Sequence, residues 1–365
     1  MTSNAVIRKE IMTRSEPTAH QGTGPRDATE LTICDLWQQV LGVTSVGVHD
    51  DFFVAGGNSL LAIKVVVGIR RYFGVDVTAG ELLEANTVAK LAEIVRSGRD
   101  EPPSPLIRLR QGDAGLAPVY GLPPVSGTTL VYVRLMRSLS QARPFWALQS
   151  VGLQPGEQPL DSVSAVASDF IARARAVHPA GRPWNLIGFS MGGVFAYEAA
   201  RQLGAAGERV GLVGLLDTRP FVDTSGDTDY ALRALLQRAL RVDLDLAQVR
   251  ALAPPERAAL LLKEAVAAGT VPADFDEDRL LRMVDMYQYN LDALAGYDPA
   301  GYQGRLTLYR VTDHAMEPVL LPHDLDWSRR AAEIQVHDVP GHHFSMIEPG
   351  NVETLAALID AAAED

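Results

Sequence analysis

From Val119 to the C-terminus, short apolar runs alternate with longer amphipathic ones, and this alternation limits the fold more than any other feature of the chain. Val119–Leu122, Phe145–Gln149, Trp184–Ile187, Val210–Leu216, Leu306–Val311 and Ile334–Val339 have the length and apolar content of buried strands. Helical spacing fills the gaps near Leu130–Leu139, Val163–Val177 and Val194–Leu203, and a closing helix starts at about Val352. Strands separated by helices are crossover-connected, which predicts a mainly parallel sheet covered on both faces. One segment departs from the pattern. From Asp227 to Leu294 helix follows helix, with breaks at Ala253-Pro254-Pro255 and Val271-Pro272, so residues 220–295 are expected to form a helical lid over the sheet.

Upstream the periodicity is helical only. Ile33, Leu36, Trp37, Val40 and Leu41 fall on one helical face, Ser59–Phe73 reads as a second helix, Gly80–Glu84 sits in a short one, and Thr87 caps a last helix ending near Arg96. The stretch Ser97–Pro105, SGRDEPPSP, has the prolines and mixed charge of a linker. The chain therefore divides into a polar leader at 1–25, an all-α four-helix bundle at 26–97, a linker at 98–105 and an α/β domain at 106–365. A formal charge of −12 argues against nucleic acid as the main partner, and no apolar run is long enough to cross a bilayer. The one cysteine, Cys34, sits in a helical apolar pattern and reads as a buried hydrophobe in a soluble, cytoplasmic protein. No Cys or His pairs stand at zinc spacing, and no phosphate-cradling Gly-x-x-x-x-Gly-Lys occurs.

Chemistry concentrates at two serines. Gly188-Phe189-Ser190-Met191-Gly192 lies between an apolar strand and a helix, the context in which Gly-x-Ser-x-Gly forms a strained turn with an exposed hydroxyl. Such a serine needs a base and an acid that orients the base. His342 and His343 follow the last strand, where α/β-hydrolases present their histidine. Asp217 ends the strand Val213–Leu216 and Asp313 follows Leu308–Val311; either can serve as the acid. The oxyanion formed on attack needs backbone donors, one of them the N–H of Met191, just after the nucleophile. The second serine, Ser59, follows Gly56-Gly57-Asn58 at a helix start, a position that an ordinary N-cap also occupies.

The run VGVHDDFFVAGGNSLLAIKVV resembles the peptidyl carrier proteins of nonribosomal peptide synthetases, over about Asp27 to Arg96. That resemblance implies covalent 4′-phosphopantetheine on Ser59, attached by a phosphopantetheinyl transferase, with upstream condensation and adenylation domains as partners. Asn58 and the paired Phe52 and Phe53 favour the peptidyl over the polyketide type of carrier. The second domain resembles the thioesterases that terminate these synthetases, α/β-hydrolases with a helical lid. There Gly-x-His-Phe/Tyr-x-Met carries the base, which selects His343, and a Leu-Asp-Thr context carries the acid, which selects Asp217 over Asp313. The loop after the first strand supplies the other oxyanion donor, here Val125, although Pro-Pro-Val-Ser-Gly replaces the usual His-Pro-x-Gly-Gly. The expected function is release of a peptidyl thioester by macrocyclisation or hydrolysis. A polyketide-type release unit, or a carrier with an inactive hydrolase domain, is the alternative.

Overall fold

The computed structural model describes residues 23–98, 104–139, 142–220, 236, 242–269, 277–313 and 322–365. Most of the leader and linker, the break at Val271-Pro272 and parts of the expected lid lie outside the described residues.

Four helices form the N-terminal bundle: α1 (Ala28–Leu41), α2 (Ser59–Phe73), α3 (Ala79–Glu84) and α4 (Val88–Ser97). Asp27 caps α1 by accepting from Glu30 N–H, and Thr78 and Glu81 close a capping box on α3. Trp37 and Phe52 are fully buried, edge to face with ring centroids 4.9 Å apart, and Phe53 meets Phe52 at 5.1 Å. The Asp-Phe-Phe turn before α2 is thus a core element. Asp51 holds it by accepting from the N–H groups of Phe53 and Val54, at 2.8 and 3.0 Å. Cys34 is 2% exposed, and burial raises its thiol pKa to about 11, so it is an inert packing residue.

The second domain is a seven-stranded sheet in the order β1-β3-β2-β4-β5-β6-β7. Its strands are β1 (Leu106–Arg110), β2 (Val119–Leu122), β3 (Phe145–Leu148), β4 (Trp184–Phe189), β5 (Val210–Leu216), β6 (Tyr302–Val311) and β7 (Ala331–Val339). All pairs are parallel except β1 with β3. Helices α5 (Tyr132–Ser138), α6 (Val163–Arg175) and α7 (Gly192–Ala205) cross between strands. Strand β4 is buried along its whole length, as a central parallel strand must be. Helices α8 (Leu246–Ala251), α9 (Pro254–Ala267) and α10 (Glu277–Ala295) fill the described part of the insertion between β5 and β6, and α11 (Val352–Ala362) closes the chain.

Strand β1 was not expected from the sequence, because five residues with two arginines carry little strand signal. It is the antiparallel edge of the sheet, and the bundle covers it. Arg108 N–H donates to Glu84 Oε1 at 2.5 Å, and a side chain at Gly80 would collide with Ile107. A polar contact follows on α5, where Arg137 pairs with Asp51 at 3.0 Å and lies 5.0 Å over the Phe53 ring. On α2, Ile63 and Val67 pack against the lid cluster of Leu236, Val242, Val249, Leu261, Ala265 and Leu280. The helix that begins at Ser59 therefore rests its first turns on the lid.

Candidate functional site

The Ser190 turn is strained in the way its sequence predicts. Ser190 has φ 55, a left-handed conformation that a side-chain-bearing residue adopts only when its surroundings impose it. Those surroundings are tight. A Cβ on Gly188 would collide with the backbone of Gly192 and Gly193, and one on Gly193 would collide with the Thr218 hydroxyl. The turn is pinned to β5 by Ser190 N–H donating to Leu216 O at 2.9 Å and by the Thr218 hydroxyl donating to Ser190 O at 2.8 Å. Ser190 itself remains partly exposed.

Asp217, at the end of β5, has φ 46, donates its N–H to Tyr309 O at 2.8 Å and accepts at Oδ1 from Val311 N–H at 3.3 Å. Its other oxygen, Oδ2, is 2.7 Å from His343 Nδ1. The His343 ring also stacks on Phe189, the residue before Ser190, with centroids 4.8 Å apart. The two candidate acids therefore part company: His343 is held by Asp217, whereas Asp313 is exposed on the loop after β6, its N–H donating to Gly341 O at 2.9 Å. His342 turns back on its own loop, where its ring accepts from Phe344 N–H at 3.3 Å.

The Val125 loop abuts the Ser190 turn. A Cβ on Gly192 would collide with Leu122 O, and Leu122 pairs with Gly188 across β2 and β4. Pro124 to Gly127 form a turn closed by Gly127 N–H donating to Pro124 O at 2.8 Å. Among the described residues, the N–H groups of Val125 and Met191 find no acceptor; Met191 is the cap of α7, where N–H groups have no intrahelical partner.

Sequence reasoning did not single out Tyr132. Fully buried, its hydroxyl donates to Leu122 O and accepts from Phe189 N–H at 3.0 Å, bracing the two loops that carry Val125 and Ser190. Burial raises its pKa and keeps the phenol protonated, as a donor must be. A tyrosine in an amphipathic helix carries no mark of that task; only contact across the sheet reveals it.

At the other serine, Ser59 is the first residue of α2. Asn58 takes the capping role, accepting from Leu61 N–H at 3.0 Å. Gly56 has φ 105, and a Cβ there would meet nothing within 4 Å, so the turn faces open space. Gly57, by contrast, packs on Phe52 where no Cβ fits. No helix among the described residues is long and apolar enough to cross a membrane.

Comparison with known proteins finds a family match around each of the two serines. The thioesterase domain family matches residues 117–363 and the phosphopantetheine attachment site family matches 32–95. The chain is 31% identical to a dimodular nonribosomal peptide synthase of Bacillus subtilis over 317 residues, which is 86% of this chain and 13% of that protein. It is 30% identical to surfactin synthase subunit 3 of the same bacterium, covering 60% of this chain and 16% of the relative. The chain thus spans a small part of the length of these relatives. Among solved structures, a four-domain nonribosomal peptide synthetase bound to AMP and glycine matches 96% of this chain and 27% of its own, at TM-score 0.68 and 31% identity. The Vlm2 thioesterase domain matches 72% of this chain and 98% of its own, at TM-score 0.52 and 27% identity. This chain belongs to the thioesterase domain family, and a phosphopantetheine attachment domain precedes the thioesterase within it.

Proposed function

We propose that this chain is the carrier and release end of a nonribosomal peptide synthetase, with residues 26–97 as carrier, 98–105 as linker and 106–365 as thioesterase, its lid over about 220–295. In this reading Ser59 carries the substrate arm and Ser190, His343 and Asp217 form the catalytic triad. The observation that supports it most is the 2.7 Å pair of His343 and Asp217 beside a serine held at positive φ.

Ser59 suits covalent attachment of 4′-phosphopantetheine, since Asn58 relieves it of capping and the Gly56 turn is open. When attached, that group supplies the thiol on which the peptide rides as a thioester. His343 takes the Ser190 proton at Nε2 while Asp217 fixes the tautomer by accepting from Nδ1–H. Ser190 Oγ then attacks the thioester carbonyl, and the N–H groups of Val125 and Met191 stabilise the oxygen that becomes negative. Collapse breaks the C–S bond, His343 returns its proton to the departing sulfur, and the peptide is left as an ester on Ser190. Water, or an amine or hydroxyl of the same peptide, next gives its proton to His343 and attacks the ester carbonyl; His343 passes that proton to Ser190 Oγ as the C–O bond breaks, yielding a linear acid or a macrocycle. Because the linker tethers the carrier to the thioesterase at high effective concentration, transfer between the two serines is effectively intramolecular. The partners are upstream condensation and adenylation domains and a phosphopantetheinyl transferase, in the cytoplasm.

Intact-protein mass spectrometry after loading from butyryl-coenzyme A by a phosphopantetheinyl transferase tests this reading. Ser59→Ala should stay unmodified, wild type should shed the acyl group, and Ser190→Ala should retain it. Equal shedding by wild type and Ser190→Ala would exclude the triad.

A further inference from the structure

Among the described residues of the lid helix α10, Asn290 is the buried polar side chain, and the others that are buried are apolar. Asn290 is 2% exposed and shares its face with Leu280, Met286, Ala293 and Leu294. A buried amide at such a position costs stability unless it is hydrogen-bonded, and its partner is specific: Nδ2–H donates to Val125 O at 2.8 Å. One turn earlier, Met286 packs on the same loop; a Cβ on Gly127 would lie 2.9 Å from Met286 Cγ. The lid thus grips the turn that carries the oxyanion donor.

The consequence follows from peptide planarity. Val125 N–H belongs to the same peptide group as Pro124 C=O, and in a trans peptide the two point to opposite sides. Gly127 N–H holds Pro124 C=O at 2.8 Å, which aims Val125 N–H away from the turn. The next peptide group, Val125–Ser126, is held by Asn290, and Gly127 O accepts from Ser150 N–H at 2.8 Å. Of these three carbonyls, only that of Val125 is held by a side chain, and that side chain comes from the lid. We propose that Asn290 is a positioning residue that couples the seating of α10 to the aim of the Val125 N–H, so that the oxyanion site is complete only while the lid helix is docked. This rests on the assignment of Val125 as an oxyanion donor.

The test uses the full chain and two small probes, the butyryl thioester of N-acetylcysteamine as substrate and n-butylboronic acid as a tetrahedral adduct former at Ser190. Removing an oxyanion donor outright costs about 10²–10³ in kcat, so misaiming one should cost roughly 10- to 100-fold. Asn290→Ala and Asn290→Asp should lower kcat by that factor, raise the boronate inhibition constant in parallel and change KM less than about threefold. Val125→Pro deletes the N–H at a turn position that accepts proline. In that background Asn290→Ala should cost nothing further in kcat, because the group it positions is gone. An unchanged boronate constant, equal shifts in KM and the boronate constant, or a full additional loss in the Val125→Pro background would each overturn the proposal. So would loss of the cooperative thermal transition in both Asn290 variants, which would assign Asn290 to lid folding. If instead Val125→Pro or Ser190→Ala hydrolyses the thioester at the wild-type rate, the catalytic assignment itself is what fails.

Discussion

Ser59 and Ser190 both follow a glycine-bearing turn and both stand at a helix start, yet the two turns are opposite in construction. At Ser59 the backbone is helical, a neighbour does the capping, and Gly56 borders open space. At Ser190 the backbone is left-handed, and Gly188, Gly192 and Gly193 are wedged where no side chain fits. A serine to be modified by another protein must be approachable, whereas one that attacks must be fixed relative to its base and its oxyanion donors. In the first turn Gly56 serves access and a reversal of direction while Gly57 packs on Phe52; in the second, Gly188, Gly192 and Gly193 all serve close packing.

The sharpest way to break this contrast is at the fixed site. Asp217→Asn should lower release by about 10⁴-fold, because the amide favours the wrong His343 tautomer, while loading at Ser59 proceeds unchanged. Single-turnover release measured by mass spectrometry distinguishes the two. Val125→Pro should cost about 10²–10³-fold in kcat, read with the N-acetylcysteamine thioester, and again leave loading alone. The glycines sharpen the comparison through stability. Gly188→Ala should destabilise the thioesterase by roughly 3–5 kcal/mol because the backbone must move, while Gly56→Ala should cost about 1–2 kcal/mol for its positive φ alone. Denaturant titration of each variant checks both values. The smallest effect belongs to the contact between domains. Arg137→Ala should slow release from the loaded carrier by about two- to fivefold, with added salt reducing the difference, and should leave hydrolysis of the free thioester unchanged.

How far the sequence could be read follows from the range of each interaction. The parallel sheet was legible because β2 to β7 carry apolar runs bounded by turns, and the Ser190 turn because its glycines, strand and helix are contiguous. Asp217 and His343 are 126 residues apart, and periodicity alone left Asp313 and His342 as alternatives; the choice came from a resemblance. Strand β1 was illegible because its strand character comes from pairing with β3 and from the bundle that shields its edge. Asn290 and Val125 are 165 residues apart, and Tyr132 meets Phe189 57 residues away. Nothing local distinguishes either residue from a surface amide or a core aromatic.

The measurement that tests the two-serine account most directly is peptide mapping of one sample carrying two labels. The chain would be loaded from coenzyme A by a phosphopantetheinyl transferase, treated with an alkyl fluorophosphonate and digested for tandem mass spectrometry. The account predicts phosphopantetheine on Ser59 alone and phosphonate on Ser190 alone, with the phosphonate lost in Ser190→Ala and in no way dependent on loading. Phosphonate on Ser59, phosphopantetheine on any other serine, or an unlabelled Ser190 in the folded wild-type chain would contradict it.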